Sequence, residues 1–346
     1  MKGPAPSSTH DPEVNVVVET IGGVGAALDF TERALKQEQE RGHHPAKSWW
    51  PHHGRRLLDL AAQNNAVYLF EASVGGGIPI LRPLSECMSA NEILEICGIL
   101  NGTANYIFTR MVKDHVPLAE ALAGAQANGY AEQDPSADVE GKDTCRKLCI
   151  LSSIAYGWHL LPDQVPTTGI TKITLADEAY AAAAGRSLKL LGRSIAREDG
   201  TICAYVEPHF VGNQDPLAGV EDVFNAIKVK GNAVGDVMFY GRGAGKLPTA
   251  SAVVADVIAA ARQMDRAGYR PWQPNRPDAV FSPDELSSQW YVRLASGELA
   301  GGKAHRPQRG GRGERLDHRR HDPPGAGQAP GRQGRAGRDP RAGLSK

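Results

Sequence analysis

Residues 139–157, VEGKDTCRKLCILSSIAYG, set the strongest condition on what this chain can fold into. The spacing predicts one helix with charged first turns and a second half, LCILSSIA, that is nearly all apolar. Such a half must be buried. The charged start therefore stands at the edge of a core. Asp143 and Lys147 lie four residues apart on it and share a face. The preceding residues, GYAEQDPSAD, read as a loop that brings Glu132, Asp134 and Asp138 to the same end. Two readings stand side by side. One is a surface ion pair worth about 0.2–0.5 kcal/mol. The other is a proton-transfer pair, because a lysine among carboxylates has its pKa set by its neighbours and can donate or accept a proton.

The rest of the chain predicts an α/β fold. VNVVV at 14–18 reads as a buried strand, GAALDFTERALKQ as a helix, HHGRRLLDLAAQNN as a second helix and AVYLFEAS as a strand. That order suggests parallel pairing. EASVGGGIPI reads as a strand running into three glycines, where backbone passes close to something. ILEICGIL is a strand, NGTANYIFTRM a turn and helix with Thr103 as N-cap, and PLAEALAGAQANGYAE a helix that stops at Gly129. Short strands and helices alternate over 167–235. MFYGRGAGKLPTASAVVADVIAAAR gives a strand, a Gly-rich turn and a long helix. A Gly-rich turn opening a helix can hold an anion, or be only a turn.

Composition removes several classes. There is no apolar run long enough to span a membrane and no apolar leader, which implies a soluble, cytoplasmic protein. Five cysteines without a CxxC spacing read as reduced, buried thiols. The net charge of zero hides an asymmetry: residues 301–346 hold 12 Lys and Arg against 4 Asp and Glu, so the first 300 residues are acidic. The body therefore offers no electrostatic footprint for nucleic acid. The tail holds 11 Gly and 10 Arg with almost nothing large and apolar, and is expected to be disordered. GHHPAKSWWPHHG at 42–54 gathers four histidines, and a histidine metal site is one reading of it.

EASVGGGIPI, GILNGTANYIFTRM, AQANGYAEQDPSADVEGKDTCRKLCIL and GRGAGKLPTASAVVADVI together resemble the motifs of the homoserine dehydrogenases, in their order and spacing, over roughly residues 12–36 and 52–295. The resemblance implies NAD(P)-linked interconversion of L-homoserine and L-aspartate 4-semialdehyde, a step toward threonine, methionine and isoleucine. It implies a homodimer or homotetramer that binds neither nucleic acid nor membrane. Lys147 matches the family's proton-transferring lysine, with Asp143 beside it. Glu132, Asp143, Asp138, Tyr130 and Gly77 match substrate contacts. Lys47, Gly129, Glu132 and Gly245 match positions near the NADP or NAD cofactor. Glu71, with Val74, Gly76 and Ile78 through their carbonyls, matches a monovalent cation site for sodium, and oxygen-only ligation suits a hard cation.

The implied architecture is a partial Rossmann-type nucleotide-binding domain at 1–68 and a central α+β catalytic and dimerisation domain at 69–238. The return helix of the first domain follows at 239–265, then a linker and the start of an ACT-type regulatory domain at 266–295, then the tail at 296–346. Three departures from the family are expected to matter. The chain starts at what resembles the fourth strand of the nucleotide domain, so the GxGxxG turn that seats the pyrophosphate is not matched. WYVRL at 290–294 resembles the start of the regulatory domain, after which the composition is that of a GC-rich gene read out of frame. SWWP at 48–51 and RGH at 41–43 fit the same explanation, a displaced frame over about 37–51. These departures imply impaired activity. The alternatives are a catalytically inactive chain that only dimerises, and a metal-binding protein using the histidines.

Overall fold

The computed structural model of the protein describes residues 14–21, 25–36, 41–42, 50–262 and 271–293. Met1–Leu286 groups as one unit and Ser287–Lys346 as a second, of which the described residues 287–293 carry no regular secondary structure. The sequence reading of the tail at 296–346, and of His43, His44 and Lys47, lies outside the described residues.

The mixed α/β fold class holds, with less parallel sheet than expected. Helix α1 (Gly25–Leu35) is followed by β1 (Arg41–Gly42), α2 (Trp50–Gln63) and β2 (Tyr68–Leu69). β1 and β2 pair in parallel, Arg41 opposite Tyr68 and Gly42 opposite Leu69. The expected strand at 14–18 is not formed. A strand needs a neighbour for its backbone groups, and no described strand pairs with that run.

The strand expected over AVYLFEAS survives only as β2, and its continuation from Glu71 into the three glycines is replaced. Glu71–Ser73 forms a 3-10 turn, and the chain then folds back through Gly75 and Gly76 at φ +71° and +37°. The Glu71 side chain explains this. Its carboxylate accepts N–H bonds from Ile80 (2.7 Å), Leu81 (2.8 Å) and Arg82 (3.0 Å), which caps the next helical turn and curls the segment around itself. A π-helical turn, Pro83–Cys87, follows.

The central layer starts at β3 (Ile93–Ile99). Helices α3 (Gly102–Asp114), α4 (Leu118–Ala127), α5 (Ser136–Val139), α6 (Lys142–Tyr156) and α7 (Leu175–Ala183) come next, then β4 (Arg186–Ala196), β5 (Ile202–Gly212), β6 (Phe224–Gly231) and β7 (Gly235–Arg242). The five strands form an antiparallel sheet in the order β5-β4-β3-β6-β7. One face, with Ile96, Leu190, Val206 and Ile227, packs into the main core with Ile107 and Phe108 of α3 and Leu148 and Leu151 of α6. Each such side chain contributes about 1.5–3 kcal/mol when fully buried. The apolar half of α6 is buried as its sequence demands. Cys97, Ile99, Leu191, Val220 and Ala226 form a second cluster. The chain leaves β7 through the glycine turn into α8 (Lys246–Arg262).

Candidate active site

The site is built where β3 ends. Leu100 and Asn101 close the strand, and Asn101 caps α3, its Oδ1 accepting the Ala104 N–H at 2.8 Å. The N-cap is thus Asn101, two residues earlier than the Thr103 expected from sequence. The Thr103 hydroxyl instead donates to the Tyr130 carbonyl at 2.7 Å. Lys147 Nζ lies 2.6 Å from Asp143 Oδ2 and donates to the Leu100 carbonyl at 2.6 Å. The two side chains are 3% and 12% exposed, so the surface ion-pair reading is excluded. Buried pairs of this kind are kept in register by their surroundings and are strongly disrupted when one partner is removed.

Asn101, one of the polar groups of the LNGTANY turn and readable from sequence as turn or capping chemistry, organises the site. Its amide nitrogen donates both hydrogens, to Asp138 Oδ1 at 2.6 Å and Asp143 Oδ2 at 2.8 Å. It therefore joins the short helix α5 to α6 and holds two carboxylates beside one ammonium. This group carries one negative charge in excess when all three are ionised, which favours a cationic ligand. The signal lay in the sequence as the NGT turn, but the capping role hid the bridging role.

The loop after α4 supplies the other polar groups. Gly129 takes φ +72° as α4 ends. Tyr130 is exposed, with its ring 5.0 Å from that of Tyr106. Glu132 is exposed and its carbonyl accepts from Gln126 at 3.1 Å. The expected 133–138 loop closes into α5. Asp134 is held below the usual carboxylate range by the backbone N–H and side chain of Ser136.

The three glycine stretches, each weak alone, meet. Gly77 N–H donates to the Arg242 carbonyl at 3.0 Å, and a Cβ on Gly77 would stand 2.7 Å from Pro248 Cβ. A Cβ on Gly76 would stand 2.7 Å from the Gly243 carbonyl oxygen. On the other side, a Cβ on Gly243 would fall 2.0 Å from Nδ2 of the buried Asn225, and one on Gly102 would lie 3.4 Å from Asn225 Oδ1. Asn225 thus stands between the NGT turn and the GRGAG turn. Gly245, at φ +124°, opens α8.

Glu71, Val74, Gly76 and Ile78 share the buried turn before the helix at 80. The Glu71 carboxylate is engaged by three backbone N–H groups. A cation at this turn would therefore be held by main-chain carbonyls, a hard oxygen set without side-chain charge. The Glu71 N–H donates to Asp256 Oδ2 at 2.8 Å, and Arg82 pairs with Asp256 Oδ1 at 2.7 Å, which fastens α8 to this turn. Burial pushes the Asp256 carboxyl up to about 6, and the nearby Glu71 charge adds to it, against the pull of Arg82 and the N–H. Among the described residues no three His, Cys, Asp or Glu side chains are placed to hold a metal ion.

A family model described as homoserine dehydrogenase matches residues 79–258. Over 287 residues the chain is 39% identical to the homoserine dehydrogenase of Bacillus subtilis, covering 82% of this chain and 66% of that protein. Over 294 residues it is 41% identical to the homoserine dehydrogenase of Pseudomonas aeruginosa, covering 84% and 65%. The structure is similar to a homoserine dehydrogenase from Thiobacillus denitrificans, with a TM-score of 0.73 at 37% identity over 79% of this chain and 63% of that one. It is also similar to a hyperthermophilic archaeal homoserine dehydrogenase in complex with NADPH, with a TM-score of 0.65 at 27% identity over 77% of each chain. The chain spans about two thirds of the length of the Bacillus, Pseudomonas and Thiobacillus proteins, 66%, 65% and 63%.

Proposed function

The chain belongs to the homoserine dehydrogenase family, and on that premise we propose that it interconverts L-homoserine and L-aspartate 4-semialdehyde with NADP or NAD. The observation that carries the reading is the buried Lys147–Asp143 pair at 2.6 Å, braced by Asn101 at the end of β3.

The cofactor supplies and accepts the hydride. Everything else falls to the chain. Lys147 delivers a proton to the oxygen that becomes an alkoxide as the semialdehyde is reduced, and Asp143 holds its side chain aimed. In the reverse direction the neutral amine accepts the hydroxyl proton. The excess negative charge of Asp138, Asp143 and Glu132 suits the substrate's α-ammonium, and Tyr130 and Gly77 are assigned to the substrate by the family resemblance. Gly129, Glu132 and Gly245 offer backbone or carboxylate groups to the cofactor, and Lys47 is assigned there from the sequence alone. The Val74, Gly76 and Ile78 carbonyls would hold sodium in the turn that the Glu71 carboxylate closes.

The same reading assigns residues 1–68 and 239–265 to the nucleotide side, 69–238 to catalysis and dimerisation, 266–295 to a linker toward a regulatory domain and 296–346 to a tail. It places the protein in the cytoplasm, in threonine, methionine and isoleucine synthesis, as a homodimer or homotetramer. No described helix is long and apolar enough to cross a membrane. The inactive alternative gains no support, because Lys147, Asp143, Asn101 and Asp138 are all in bonding contact. The test is L-homoserine-dependent reduction of NADP and of NAD at alkaline pH. Reduction that requires homoserine supports the reading; its absence with both cofactors, in a folded protein, overturns it.

A further inference from the structure

Lys189 on β4 is a buried lysine that the mechanism above does not use. It is 5% exposed. Its ammonium donates to the Val220 carbonyl and to Asn105 Oδ1, and no carboxylate among the described residues lies within ion-pairing distance of it. Buried ammonium groups without a carboxylate partner are rare, because their desolvation is not offset. Burial pushes the Lys189 pKa down to about 8; the charges of Glu221 and Asp222 act against this and that of Lys113 acts with it. Its cross-strand neighbour is His209. A charge in this position is a cost to stability, so its effect on the neighbouring backbone is the feature to explain.

That backbone is the 220–225 segment. Asn105 of α3 donates from one amide nitrogen toward three of its carbonyls, Val220 (3.2 Å), Asp222 (3.0 Å) and Phe224 (3.2 Å). Asp222 sits at φ +53°, a strained setting for a residue other than glycine, and its N–H donates to Thr109 Oγ1 at 2.9 Å. The segment is cinched onto α3 by these bonds. The last residue of the segment is Asn225, which Gly243 admits only because it has no Cβ. The order of contact runs from Lys189 and Asn105, through the segment and Asn225, to the turn that opens α8.

We propose that Lys189 and Asn105 are positioning residues for the cofactor, setting the 220–225 segment and through Asn225 the Gly243–Gly245 turn. The inference rests on the dehydrogenase reading, in which that turn faces the nicotinamide cofactor. The substrate cluster is held separately, by Asn101, Asp143 and Lys147. Loss of the Lys189 ammonium therefore loosens the cofactor side and leaves the substrate side in place.

Lys189→Met in the full chain tests this, because methionine keeps the volume and Asn105 still bonds the Val220 carbonyl. NADPH affinity and the KM for homoserine are measured beside the melting temperature. The expected result is a melting temperature equal to or above that of the parent protein, NADPH affinity about tenfold weaker, and a homoserine KM within twofold. Asn105→Asp, which keeps the size but loses the donors, is expected to weaken NADPH binding likewise. Unchanged NADPH affinity in a stable Lys189→Met protein overturns the inference alone. So does a lower melting temperature with proportionate loss of both ligands, which marks a purely structural residue. Failure of the parent protein to bind NADPH overturns the dehydrogenase reading and the inference with it.

Discussion

At the scale of single residues, Asn101 ties chemistry to architecture. It caps α3, and its two amide hydrogens hold Asp138 and Asp143 side by side. Asn101→Ala removes a cap, at about 1 kcal/mol, and lets two carboxylates repel. The expected outcome is a modest fall in melting temperature and a rise in the homoserine KM that exceeds any change in NADPH affinity. Steady-state kinetics with each ligand varied in turn checks it. Lys189 gives a second prediction, for pH. Its folded pKa of about 8 lies below the ordinary lysine value of 10.5, so the folded protein sheds this proton first. Between those values the unfolded chain binds more protons, and this group's contribution to stability increases as pH rises. Below about 8 the buried charge costs stability in full. Denaturant midpoints from pH 8 to 10 are expected to fall less steeply, or rise more, in the parent protein than in Lys189→Met.

At the scale of elements, the fold brings three glycine turns and two helix starts to one place. Gly243→Ala is the sharpest test, because the added carbon would sit 2.0 Å from Asn225 Nδ2. Forcing Asn225 aside is expected to cost about 1–3 kcal/mol of stability and to weaken NADPH binding, read by urea unfolding and by nicotinamide fluorescence. The sequence made α3, α4, α6 and α8 legible, because their apolar spacing and end signals are local. It also made the Asp143–Lys147 face legible, since four residues along a helix is a fixed geometry. It did not show that Lys147 bonds the Leu100 carbonyl, 47 residues away, nor that Asn225 lies against Gly243. Those contacts depend on the sheet order, which no local pattern encodes. The strand expected at 14–18, and the run of the 66–73 strand from Glu71 into the glycines, failed for related reasons. One has no pairing neighbour among the described residues, and the other is recruited by the Glu71 carboxylate into a capped turn.

At the scale of the whole molecule, the sheet faces two environments. Val237 and Phe239 of β7 pack toward the helices, while Met238 and Tyr240 point the other way and are 40% and 54% exposed. Tyr240 stacks on Phe224, with ring centroids 5.2 Å apart, and pairs in register with Ala226 on the same face. Pairing of two chains through this face would bury these groups. If the proposed dimer forms through this face, Tyr240→Asp shifts it to monomer in sedimentation velocity, with the far-ultraviolet circular dichroism unchanged. Proton transfer by Lys147 in the proposed homoserine dehydrogenase reaction is tested most directly by one comparison. The kcat for semialdehyde reduction is measured for the parent protein and for Lys147→Met, with NADPH binding measured alongside. The expected result is a fall in kcat of about 10²–10⁴-fold with NADPH affinity within a few-fold. A Lys147→Met protein that retains kcat within a few-fold of its parent would contradict it.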